Sequence, residues 1–163
     1  MHSADGTVIR VTVFLGSLVL AAVTAAFPAA AQYGGGNQIE SVRISSTLDP
    51  NAILITDVDV VFIFDEARLA NFPETKSGWY SQKFMMRRNA GDAIRVVTTS
   101  VPQGFDYQDI ILPEGHRNAL RVLAFAQHQA QDTSPLDLTD MIRPMLEVDD
   151  FGLILSERDQ VEQ

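Results

Sequence analysis

The chain has no cysteine. That excludes disulfides, a thiolate nucleophile and thiolate metal sites. It also excludes a lipid anchor built on a cysteine behind a leader. Basic residues are few: 12 Lys and Arg stand against 21 Asp and Glu, for a formal net charge of -9. So acidic a surface argues against a nucleic-acid partner, because phosphate contacts need an excess of Lys and Arg. It offers no electrostatic attraction to anionic lipid either. No phosphate-loop or dinucleotide glycine pattern occurs, nor a Gly-x-Ser-x-Gly nucleophile elbow, nor the regular oxygen-ligand spacing of a calcium loop. After residue 31 there is no apolar run of transmembrane length.

One long apolar run is present, at the start. Val11–Ala31 is uncharged, is preceded by Arg10, and contains Pro28 before Ala29-Ala30-Ala31. An apolar core, a helix breaker and small residues at the two positions a signal peptidase reads make a Sec-type signal, with cleavage expected between Ala31 and Gln32. The alternative is an uncleaved anchor, since Val11–Phe27 is just long enough to span thinned or tilted lipid. Either reading puts the domain outside the cytoplasm. The expected division is a signal peptide at 1–31, a glycine-rich tether at 32–38, a folded domain at 39–157 and a short tail at 158–163. About 130 residues after the leader suffice for one domain with a genuine core.

Within that domain the apolar pattern is that of strands. Ile53–Phe64 alternates most strongly: Val58, Val60, Phe62 and Phe64 share one side, and Asp57, Asp59, Val61 and Ile63 the other. Further strands are expected at Ile39–Ser46, Ala93–Val101, Tyr107–Leu112 and Ala119–Gln127. A hairpin of Met145–Val148 and Leu153–Ser156 turns at Asp149–Gly152. Asp65–Phe72 predicts one or two helical turns, Pro73–Gly78 a loop, and Trp79–Arg88 a short amphipathic helix. Leu136–Val148 is ambiguous, because Pro144 interrupts any helix there. About seven strands without a βαβ rhythm point to an all-β fold, a two-sheet antiparallel β-sandwich with one or two short helices.

Chemistry is sparse. His116 follows a Pro-Glu-Gly turn and His128 lies beyond a strand end. With Glu114 they make a weak zinc or copper constellation, against the plainer reading of two solvated loop histidines. The pairs Asp57/Asp59, Asp65/Glu66 and Asp149/Asp150 are expected to serve solvation and edge protection rather than acid–base work. No nucleophile and base are evidently paired, so no catalytic residue, metal or cofactor is assigned and the protein is read as non-enzymatic. One segment stands out: Trp79, Tyr80, Phe84, Met85 and Met86 are mixed with Lys83, Arg87 and Arg88. Adaptable apolar area beside arginine is an interface signature. The competing reading is that this segment caps the sandwich and Trp79 belongs to the core.

Several segments, in order, resemble the TssJ-type lipoproteins of bacterial type VI secretion. Val58–Phe72 (VDVVFIFDEARLANF) is similar to the family's first long strand and helical excursion. Ile111–Gly115 (ILPEG) is similar to its Leu-Pro-Gly turn, Leu120–Gln127 (LRVLAFAQ) to its Val-Val-Ala-Ala-Phe strand, and Met145–Leu155 to its terminal hairpin. The resemblance implies a transthyretin-like β-sandwich in the periplasm, docked onto a large inner-membrane component of the TssM type. It places partner contact nearest Leu69, Phe72, Trp79, Tyr80 and Phe84, with Arg87 and Arg88 beside them. The chain departs from the family where Gln32 stands in place of the lipidated cysteine. Membrane association is then indirect or through an uncleaved signal. The alternative function is a periplasmic ligand-binding or chaperone-like sandwich unrelated to secretion. A strand-accepting chaperone would show an unprotected edge, and a ligand binder an apolar pocket with convergent polar groups.

Overall fold

The structure, a computed structural model, describes residues 36–47, 55–127 and 132–158. The proposed signal at 1–31, the start of the tether, His128 and the tail beyond residue 158 lie outside the described residues.

The described chain forms a two-sheet β-sandwich. Its strands are β1 (Arg43–Ser46), β2 (Ile55–Ile63), β3 (Ile94–Pro102), β4 (Gln108–Asp109), β5 (Arg121–Ala126), β6 (Leu136–Asp137), β7 (Pro144–Asp149) and β8 (Gly152–Glu157). Two helices, α1 (Glu66–Ala70) and α2 (Lys76–Ala90), fall between β2 and β3. One sheet runs β4-β1-β7-β8 and the other β3-β2-β5-β6. All pairings are antiparallel except β1 with β7, which are parallel. The expected sandwich is thus present, with one sheet mixed. A hairpin forces antiparallel pairing, but β1 and β7 are joined only through the whole of the other sheet, so nothing local fixes their direction.

Strand β2 organises the molecule because both its faces are buried. Val58, Val60 and Phe62 point between the sheets and pack with Val122, Ala124, Ile44, Leu146 and Val148. Val61 and Ile63 point the other way and pack with Leu123, Phe125, Ile94 and Trp79. The second cluster lies on the outer face of the β3-β2-β5-β6 sheet, where α1 and α2 cover it. This division follows the alternation in the sequence, because side chains on a strand change face with a period of two.

Local departures have local causes. The segment Tyr107–Leu112 contributes only the two residues of β4, and Ile111 is exposed. The second half of the expected Pro73–Gly78 loop, Lys76 to Gly78, already belongs to α2: Thr75 caps it by accepting a hydrogen bond from the Gly78 N–H at 3.1 Å. Pro144 opens β7 at a strand's first position, where proline is tolerated. At the entry to the domain, Gly36 has φ +96, and a Cβ there would lie 2.3 Å from the Arg117 carbonyl oxygen. Only glycine fits that backbone and that approach.

Candidate docking surface

The site begins with a buried carboxylate. Asp59, in the middle of β2, is 0% exposed. Its Oδ2 accepts from the Trp79 indole N–H at 2.9 Å, and its Oδ1 accepts from Lys83 Nζ at 2.7 Å and from Thr98 Oγ1 at 2.6 Å. An ionised carboxylate inside a protein is tolerated only when paired and fully hydrogen-bonded. Three donors from α2 and β3 meet that requirement. The expectation that Asp57 and Asp59 serve solvation is therefore corrected for Asp59. It lies on the same side of β2 as Val61 and Ile63, which is the face α2 covers. Asp57, nearer the strand end, accepts from Ser100 Oγ at 2.6 Å.

Trp79 is held by stacking as well as by its hydrogen bond. Its ring lies 5.4 Å from both Phe72 and Phe125, at interplanar angles of 27° and 20°. Lys83 lies one turn further along α2 and leads its ammonium inward to Asp59, with its side chain as a whole partly exposed. Tyr80 is half-buried and its hydroxyl is 3.5 Å from the Asp57 carbonyl oxygen. Burial raises the pKa of that phenol, and the nearby charges of Asp59 and Asp57 raise it further.

The candidate contact residues thus divide. Trp79 is fully buried and has no surface with which to meet a partner; of the two readings of this segment, the one placing Trp79 in the core describes it. Leu69 and Phe72 are half-buried and pack against the same cluster. Phe84 is 73% and Met85 53% exposed. Arg87 and Arg88 are exposed and make no ion pair with any described residue. Tyr80, Lys83, Phe84, Arg87 and Arg88 line one shallow concavity. Helix α2 contains Lys76, Lys83, Arg87 and Arg88 and no acidic residue, in a chain of net charge -9. The two arginines sit in its last turn, where they also complement the helix dipole.

Contacts that the sequence does not reveal secure this layer and the entry to the domain. Asp132 accepts from the Ser77 N–H at 2.8 Å and from the Ser77 hydroxyl at 2.6 Å, securing the first turn of α2 from 55 positions away. Those bonds, the Ser77 hydroxyl first, hold the Asp132 carboxyl below its usual pKa. Asn37, buried at the domain entry, donates to the carbonyls of His116 and Ala119 and accepts from the Ile39 N–H. The His116 ring nitrogens face the carbonyl oxygens of Pro113 at 3.2 Å and Ile39 at 3.1 Å. His116 thereby ties the entry segment to the sandwich. Among the described residues no group of three or more His, Cys, Asp or Glu is placed to hold a metal ion. Nor is any described helix long and apolar enough to cross a membrane.

No protein-family model matches the chain, and no curated protein matches it. Among solved structures it is similar to Lip of Serratia marcescens, described as a membrane-bound component of the type VI secretion system. The identity is 10%, covering 77% of this chain and 99% of that one, with a TM-score of 0.43. It is also similar to TssJ1 of Pseudomonas aeruginosa, described as a type VI secretion lipoprotein. There the identity is 10%, covering 74% of this chain and 98% of that one, with a TM-score of 0.41.

Proposed function

We propose that this chain is a non-enzymatic periplasmic component of a type VI secretion membrane complex, and that it docks onto a large inner-membrane component of the TssM type through α2. The reading rests on the ordered segments that resemble TssJ-type proteins. It rests above all on one observation: the outer side of α2 offers Phe84 and Met85 beside two arginines that have no ion pair among the described residues, on an otherwise acidic chain. Apolar area flanked by arginine is the composition of a contact surface. Tyr80, Phe84, Arg87 and Arg88 form its front, while Leu69 and Phe72 line a separate concavity with Pro73 and Arg121. Trp79 supports the helix from below and makes no contact itself. With Gln32 where a lipidated cysteine would stand, the protein is held at the envelope through this partner or through an uncleaved signal.

The test is a Phe84→Ala/Met85→Ala double variant. Both side chains are exposed, so stability should change by no more than about 0.5 kcal/mol per site. Capture of the periplasmic part of the partner is expected to fall at least tenfold on the order of a lost apolar anchor. Capture that is unchanged in a folded variant removes α2 from the interface.

A further inference from the structure

We propose that the free edge of β3, together with the basic side of α2, binds an extended partner segment as an added strand, one whose α2-facing side chains are acidic. The inference names the kind of segment that the docking surface takes, and it rests on that docking reading for the role of α2.

The free edge follows from the hydrogen-bond register. The Phe64 N–H donates to the Ala93 carbonyl at 2.9 Å, so this pair is a hydrogen-bonded one. Partners along β2 and β3 run without interruption from Ile63 with Ile94 to Ile55 with Pro102. Hydrogen-bonded pairs alternate in an antiparallel ladder. Arg95, Val97, Thr99 and Val101 therefore bond to β2, while Val96, Thr98 and Ser100 turn their N–H and C=O groups away from it. The opposite side of β2 agrees: Gln127 N–H donates to the Asp57 carbonyl at 2.8 Å, which assigns the odd residues of β2 to β5 and leaves the even ones for β3. The outward groups of Val96, Thr98 and Ser100 have no hydrogen-bond partner among the described residues.

Sheet edges are normally short, charged, bulged or covered. Of the other edges, β4 and β6 are two residues long and β8 is six. Strand β3 has nine residues, no interruption of register, no charge between Val96 and Val101, and proline only at its end. Thr98 and Ser100 are exposed. This is the geometry on which strand addition works, with backbone bonds supplying affinity and alternate side chains supplying selectivity.

Charge chooses the occupant. Ile94 and Val96 pack toward the cluster beneath α2, and Lys83 Nζ reaches within 3.4 Å of Thr98 Oγ1. Alternate side chains of an added strand therefore project along the same side as α2. Arg87 follows Lys83 by one helical turn on that stripe, and Arg88 borders the same concavity. Lys83 is satisfied by Asp59, whereas the two arginines lack an ion pair among the described residues. Carboxylates on the incoming segment would complete them. A second copy of this chain would instead bring the basic side of one α2 toward that of another.

The experiment uses a fluorescent nine-residue peptide of alternating Glu and Val, its Lys–Val counterpart, and the whole chain. The Glu–Val peptide is expected to bind, and the Lys–Val peptide at least tenfold more weakly. Amide exchange at Val96, Thr98 and Ser100 should slow at least tenfold on saturation, while Val97 and Thr99, already bonded to β2, stay unchanged. Arg87→Glu/Arg88→Glu should reverse the preference between the peptides. Ser100→Pro removes one outward N–H and should weaken binding; Ser100→Ala loses the same hydroxyl, keeps the N–H, and should bind like the parent. Equal binding of the two peptides overturns the proposal, as does binding without slowed exchange at the three amides. Protection of those amides that rises with protein concentration in the absence of peptide also overturns it, and assigns the edge to a second copy. Association with phosphatidylglycerol vesicles that leaves their exchange unaltered assigns the arginines to lipid and overturns it too. If no peptide binds while partner capture still depends on Phe84 and Met85, strand addition fails and the docking reading stands.

Discussion

Asp59 shows how one side chain can decide the fate of a helix. Its carboxylate accepts from Trp79, Lys83 and Thr98, so removing it strands a cation and an indole N–H together. Asp59→Ala is expected to cost about 3–5 kcal/mol, the range for breaking a buried ion pair by deleting one partner. Replacing both charges by apolar residues, Asp59→Val with Lys83→Met, should recover much of that loss, because no unpaired charge then remains inside. Urea unfolding of the two variants distinguishes these outcomes; a double variant no more stable than the single would show that the hydroxyl and indole bonds, not the charge, carry the cost. The burial of Asp59 was legible in part. Its place in the alternation put it on the side of Val61 and Ile63, but an acid in a strand also reads as a solvated edge. Only the arrival of Lys83 and Trp79 from 20 or more positions away decides between them.

At the scale of the element, α2 is secured at its start by a residue from another part of the chain. Asp132 is bonded to Ser77, and its pKa is held below the usual carboxylate value. A depressed folded pKa means that the stabilising contribution is complete above the unfolded value of about 3.9 and is lost as the pH falls through the folded value. Asp132→Asn should therefore be less stable than the parent at neutral pH, with the gap closing below about pH 4. Chemical unfolding at several pH values measures this; a gap that persists in acid would point to the lost geometry rather than the charge. The same contact explains why the helix begins earlier than the sequence suggests. Ser77-Gly78 is poor helix-forming sequence; the Thr75 cap is local, but the second acceptor that supports this turn, Asp132, comes from outside any local window. By contrast, β2, β5 and the β7–β8 hairpin were legible, since alternation and turn residues are local. The parallel direction of β1 and β7 was not, because no nearby residue encodes it.

At the largest scale, the described residues form a sandwich with a second core outside it, and β2 belongs to both. Phe62 is fully buried between the sheets, so Phe62→Ala should cost about 3–5 kcal/mol through lost transfer energy and the cavity left behind. Because Val61 and Ile63 of the same strand support the helical layer, the two cores should be lost together. Trp79 is the one tryptophan of the chain and sits in the outer core, which makes its fluorescence a reporter of that layer alone. Its denaturant transition should coincide with that of the far-ultraviolet circular dichroism of the sheets. A fluorescence change at lower denaturant would mean that the helices detach before the sandwich opens.

The spacing of Trp79 and Lys83 has a consequence for how α2 finds its place. The two residues lie one turn apart and enter different recesses: an aromatic slot between Phe72 and Phe125, and a carboxylate at Asp59. Were the helix to slide by one turn, about 5.4 Å, Arg87 would reach the carboxylate, but Lys83 would be driven into the aromatic slot. Were it to rotate, neither recess would be filled. The pair thus acts as a key with two unlike teeth, admitting a single depth and a single rotation, and so fixes where Phe84, Arg87 and Arg88 are presented.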